Sequence, residues 1–120
     1  MAANDIVEVK LTSVLGPLAA NAVYPDIGPD GGPLPYITYQ QVGGIPVNFL
    51  GRDIPSQKNG RFQINVWSDS RETTSILMRQ IEDTLRASLI LTTEVMGGAI
   101  SVYEEATNLY GAYQDFSLWF

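Results

Sequence analysis

The adjacent acids Glu104 and Glu105, the lysines Lys10 and Lys58 among plentiful serines, and the glycine-rich run at 28–32 are where this chain could do chemistry, and each fails on spacing. Neighbouring residues on a strand point to opposite faces, so Glu104 and Glu105 diverge and make no carboxylate pair of the kind that cleaves glycosides. A serine nucleophile needs a base, yet the chain has no histidine, and neither lysine stands in a Ser-x-x-Lys context. The glycine run lacks the Lys-Ser/Thr ending of a phosphate loop and leads into no long helix. Asp26 and Asp30-Gly31 imitate the start of a calcium loop without its intermediate ligand or closing Glu. With no cysteine as well, the chain has no thiolate, no disulfide and no zinc site of the usual kind. No catalytic, cofactor-binding or metal-binding residue is assigned, and the expectation is that the protein is not an enzyme.

Charge is distributed more tellingly than any motif. Arg52, Lys58, Arg61, Arg71, Arg79 and Arg86 supply all basic residues but Lys10, and beyond Arg86 only acids remain: Glu94, Glu104, Glu105 and Asp115. One part of the surface is therefore mixed and another purely negative. A net charge of −6 argues against binding nucleic acid through a generic basic surface, because that affinity comes from Lys and Arg neutralising phosphates. Charged residues make up 17% of the chain, against roughly 25% in ordinary soluble proteins, as expected where faces are covered by partners. The N-terminus has no basic leader, and the apolar stretch at 14–20 is broken by Gly16 and Pro17. We therefore expect no signal peptide and no membrane span, and action in the cytoplasm or in a particle assembled there.

The elements that must carry these residues are legible from periodicity. At 120 residues, one domain over 1–120 is expected. Ile6, Val7, Val9, Leu11, Val14 and Leu15 form a broad helical face over 5–15, stopped by Gly16-Pro17. Residues 24–35, dense in proline and glycine, read as a loop. Tyr36 to Val42 reads as a strand. Residues 43–60 read as a long hairpin excursion closed by Asn59-Gly60, a tight-turn signal. Phe62, Ile64 and Val66 alternate with Gln63, Asn65 and Trp67 on a second strand.

A helix follows, capped by Ser68, Asp69 or Ser70, with Asp69 and Glu72 spaced as in a capping box. Leu77, Ile81, Leu85 and Leu89 line its buried face; Arg79/Asp83 and Glu82/Arg86 pair on its exposed one. After Gly97-Gly98, residues 99–103 form a strand, a turn lies around 107–111, and residues 113–120 form a last strand. The fold class is α+β: a single, mostly antiparallel sheet of about four strands, two helices packed on one face and a long hairpin loop. Trp67, Trp119, Tyr113 and Tyr103 fall on the more polar side of their strands. They are either cross-strand packing on a half-exposed sheet or anchors of a subunit interface.

The run Ala22-Val23-Tyr24-Pro25, the Pro/Gly loop into Leu34-Pro35-Tyr36-Ile37-Thr38-Tyr39, and Phe62-Gln63-Ile64-Asn65-Val66-Trp67-Ser68 before a long helix resemble the phage tail completion and tail terminator family. So does the closing segment, Leu109-Tyr110-Gly111 and then Asp115-Phe116-Ser117-Leu118-Trp119. The resemblance spans nearly the whole chain. It implies a structural virion protein that forms a ring, commonly hexameric, at the head-proximal end of the tail. Such a ring ends growth of the tube built by the major tail tube protein and offers a docking surface to the head connector or head completion protein; the one-sided charge, for its part, suits a negative lumen through which DNA passes without specific binding. On that reading the 43–60 excursion, with Arg52 and Lys58, is the candidate neighbour, tube or head contact; with Arg61 and the outward Trp67, Tyr113 and Trp119, taken from pattern alone, these residues make up the candidate subunit or partner interface. Another neck protein, a head completion or stopper protein, and a small ligand-binding α+β module are the competing readings.

Overall fold

The computed structural model describes residues 6–120. Helix α1 (Ile6–Leu15) buries Val7, Leu11 and Leu15, which recur every fourth residue, while Val9 lies off that stripe and is half exposed. Asp5, where this helix was expected to begin, lies outside the described residues. Gly16–Leu18 continue as a single 3-10 turn, in which Pro17 occupies an early position where its missing N–H costs nothing.

Six strands form one sheet: β1 (Val23–Pro25), β2 (Tyr36–Gln41), β3 (Asn59–Ser68), β4 (Thr92–Val95), β5 (Ile100–Glu104) and β6 (Leu109–Trp119), with helix α2 (Arg71–Ala87) between β3 and β4. The order is β1-β2-β3-β6, with β4 and β5 both paired to the far side of β6. Only β1–β2 is parallel; the other pairs are antiparallel. The class is as expected, but the strands are more numerous than the four anticipated. β1 was hidden in the proline-rich stretch because it is short and ends on Pro25, which an edge strand tolerates. β4 was hidden because apolar periodicity suggested that the helix ran on through Leu89.

That helix instead ends at Ala87. Ser88 adopts an extended conformation, and its hydroxyl accepts the N–H groups of Ile90 (3.2 Å) and Leu91 (3.3 Å), turning the chain. Leu89 is thereby fully exposed and Leu91 enters the core in its place. At the other end Ser70 is the cap: its Oγ accepts the Thr73 N–H at 3.0 Å. Ser68 holds Ser70 in position, accepting its N–H at 3.0 Å and donating to its carbonyl at 3.0 Å. The core joins Val7, Leu11 and Leu15 of α1 and Leu77, Met78, Ile81 and Leu85 of α2 to one face of the sheet, chiefly Ile37, Phe62, Ile64, Val66, Phe116 and Leu118. Both helices therefore cover the same face.

Asn59 and Gly60 do not turn the chain. They begin β3, with Asn59 opposite Trp119 and Gly60 opposite Leu118. Gly60 is needed for space, since a Cβ there would lie 2.7 Å from the Phe62 ring. The conformational freedom belongs to Gly43 (φ 111°) and Gly44 (φ 152°), which swing the chain out of β2. Residues 44–58 then form an arm without helix or strand, returning into β3.

Candidate interaction surface

The register assigns side chains to faces. Tyr36, Thr38, Gln63, Asn65, Trp67, Gly111, Tyr113, Asp115 and Trp119 share the face opposite the helices. Trp67, Tyr113 and Trp119 are thus outward, as expected, and all three are half-buried. Tyr103 is not with them: it pairs with Tyr110 on the helix side, ring centroids 4.9 Å apart, where Arg71 lies 5.8 Å from the Tyr110 ring. Nor do the tryptophans meet. Trp67 faces Gly111 and Trp119 faces Asn59, eight residues apart along β3, so about 27 Å of sheet separates them at roughly 3.4 Å per residue.

The candidate residues divide accordingly. Lys58 and Trp119 gather at the end of the sheet where the arm departs: Lys58 N–H donates to Phe120 O (2.7 Å), and Phe120 N–H donates to Lys58 O (2.9 Å). Asn59 fastens the same corner, accepting the Ile45 N–H on Oδ1 (2.9 Å) and donating through Nδ2 to Ser117 Oγ (2.7 Å) and Leu118 O (3.3 Å). Arg61 follows, its guanidinium 2.7 Å from the Asp115 carboxylate, so it is engaged within its own chain. Arg52 is on the arm itself. Trp67 and Tyr113 lie toward the opposite end, near Tyr36, which meets Tyr24 edge-on at 6.1 Å.

The arm exposes Ile45, Phe49, Leu50 and Ile54. Its limbs enclose a cleft of about 320 Å³ lined by Ile45, Pro46, Val47, Ile54, Pro55, Lys58 and Asn59. A second cleft of about 370 Å³, lined by Pro29, Asp30, Gly31, Gly32, Leu34, Tyr36, Thr107 and Leu109, sits at the far end of the outer face. Burial, and then the nearby carboxylates of Glu104 and Asp30, raise the Tyr36 hydroxyl above the ordinary tyrosine pKa. That corner is negative.

Periodicity did not reveal the composite edge made by β4 and β5. Both run antiparallel to β6, and residues 96–99 between them face only Gln114 and Asp115, so the edge bulges there. Gln114 is buried and secures the bulge, donating through Nε2 to Gly97 O (2.7 Å) and to Glu82 Oε1 (2.8 Å) on α2. This bond holds the Glu82 carboxyl below its ordinary pKa, with burial opposing and Arg86, 3.3 Å away, assisting. Arg79 and Asp83 form no such bridge: among the described residues the ion pairs are Arg61–Asp115 and Glu82–Arg86. The β-branched pair Thr92-Thr93 and the alternation through Val95 were the available signal for β4.

Among the described residues no cluster of acids could hold a metal ion, and no helix is long and apolar enough to cross a membrane. What the described residues offer instead is a sheet face without a helix on it, a projecting arm and an open strand edge. The model of the family described as Tail completion protein gp17 matches residues 7–120, and the chain belongs to that family: it is a structural protein of the phage virion and not an enzyme. Its fold is similar to that of a chain in a solved structure of the virion of a native gene transfer agent particle, with TM-score 0.50, 22% identity and coverage of 88% of this chain and 83% of that one. No curated protein matches the chain significantly.

Proposed function

We propose that this chain, one domain over residues 1–120, assembles as a ring, hexameric as the sequence resemblance implies, at the head-proximal end of the phage tail. There it terminates polymerisation of the tail tube and gives the head connector or head completion protein a surface on which to dock. The observation that carries this reading is the pair of unlike surfaces on one subunit, a basic, apolar arm and an acidic strand edge, because a closed cyclic assembly needs two different complementary patches. The absence of basic residues beyond Arg86 fits a lumen that DNA crosses without adhering.

The test is a phage carrying a disrupted copy of the gene. Filled heads beside unattached tails of irregular, extended length are the expected products. Tails of normal length that fail to join would move the role to a head completion or stopper protein.

A further inference from the structure

We propose that the arm at residues 44–58 binds the β4–β5 edge of a second copy of this chain, making the contact heterologous; this rests on the ring reading above. Four cations, Lys10, Arg52, Lys58 and Arg79, have no ion pair or aromatic partner among the described residues, and two of them are on the arm. Asp53 is the arm's single acid, so the arm is net basic. The β4–β5 edge is its complement: Glu94 and Glu104 lie on it, Glu105 follows it, and none of the three is ion-paired among the described residues. Apolar side chains match as well, with Phe49, Leu50 and Ile54 exposed on the arm and Met96, Ile100 and Tyr103 on the edge.

Backbone chemistry points the same way. β4 and β5 pair only with β6, so their outer N–H and C=O groups are open to another extended segment. Two such edges pairing with each other would set carboxylate against carboxylate, and that isologous contact would stop at a dimer. A chain's own arm is badly placed to reach along its own β5. It leaves the sheet where Asn59, Trp119 and Thr92 align, whereas β5 runs from Tyr113 toward the opposite end.

The chain has no cysteine, so cross-links can be placed at will. Leu50→Cys on the arm is mixed with isotopically labelled Ile100→Cys on the edge, or with Leu89→Cys, a more exposed residue outside both edge strands, as the comparator, and disulfide dimers are read by mass spectrometry beside light scattering. We expect the Leu50→Cys/Ile100→Cys heterodimer to exceed the comparator and both homodimers at least tenfold. Adding Arg52→Glu and Lys58→Glu to the arm partner abolishes that excess, and Glu94→Lys with Glu104→Lys on the edge partner restores it. Assembly without the excess overturns the arm-to-edge contact and leaves the ring standing. A chain that stays monomeric alone and with tail tubes overturns both.

Discussion

Trp67 lies across Gly111 on the outer face of the sheet, so closely that a Cβ on Gly111 would sit 2.6 Å from Cζ3 of the indole. The glycine is the floor on which the ring rests, with Val102 beside it at 3.0 Å from the same point. Gly111→Ala is therefore expected to lift the indole, costing about 1–3 kcal/mol as overpacking does. Denaturant unfolding measures the loss, and tryptophan emission shifts to the red. Gly97→Ala, with nothing within 4 Å of the added Cβ, is the control and should be near neutral.

Gln114 joins sheet, bulge and helix through one amide. Gln114→Leu removes this donor from the Gly97 carbonyl and leaves Glu82 with Arg86 alone, and because neither acceptor is buried the expected loss is about 0.5–1.5 kcal/mol. The pH dependence follows in sign. Because the folded state lowers the Glu82 pKa from its ordinary 4.5, that group's stabilisation is complete above the unfolded value and is lost as pH falls through the folded one. Unfolding curves between pH 7 and pH 3 should therefore show a shallower acid loss in Gln114→Leu than in the parent, by about 1 kcal/mol at most given how exposed Glu82 is.

The arm is hinged on a glycine that admits no substitute. At Gly44 a Cβ would lie 2.5 Å from the Asn59 carbonyl oxygen, and φ is 152°. Gly44→Ala should break the Ile45–Asn59 bond at a cost of roughly 1–3 kcal/mol confined to the arm's base. Hydrogen exchange should quicken over residues 42–60 and remain unchanged in β6.

Helix α2 starts at Ser70 rather than Asp69. Ser70→Ala is expected to lose about 1 kcal/mol, whereas Asp69→Ala should lose a few tenths at most. Thermal melts of the two variants decide between the caps.

Trp119, beside the arm's base, tests whether an outward aromatic serves assembly. Trp119→Ala should keep its circular dichroism yet need about tenfold more protein to assemble, as loss of an anchor does. Unchanged assembly would return the residue to sheet packing.

Where periodicity and burial coincide, the sequence was enough. Phe62, Ile64 and Val66 alternate because β3 is central, and Leu77, Ile81 and Leu85 recur because α2 covers one face. It misled where a local signal was overridden by tertiary packing. Asn59-Gly60 has the residues of a turn, but the Asn59 side chain is taken up by Ile45 and Ser117, and Gly60 is crowded by Phe62. Leu89 kept the helical spacing, yet Ser88 had already diverted the backbone. The candidate surface was legible as residue types on faces, not as distances. Alternation put Trp67 and Trp119 on the same side, but only the ladder register places them at opposite ends.

The arm is fastened at its base by Asn59, Lys58 and Phe120 and contributes nothing to the core. Its length is consequently a free variable of the fold. Doubling a flexible loop adds only about 0.6 kcal/mol of closure entropy, so insertions, deletions or wholesale replacement between residues 45 and 57 leave the rest of the domain able to fold. Selection can thus rewrite the arm while inheriting the architecture unchanged.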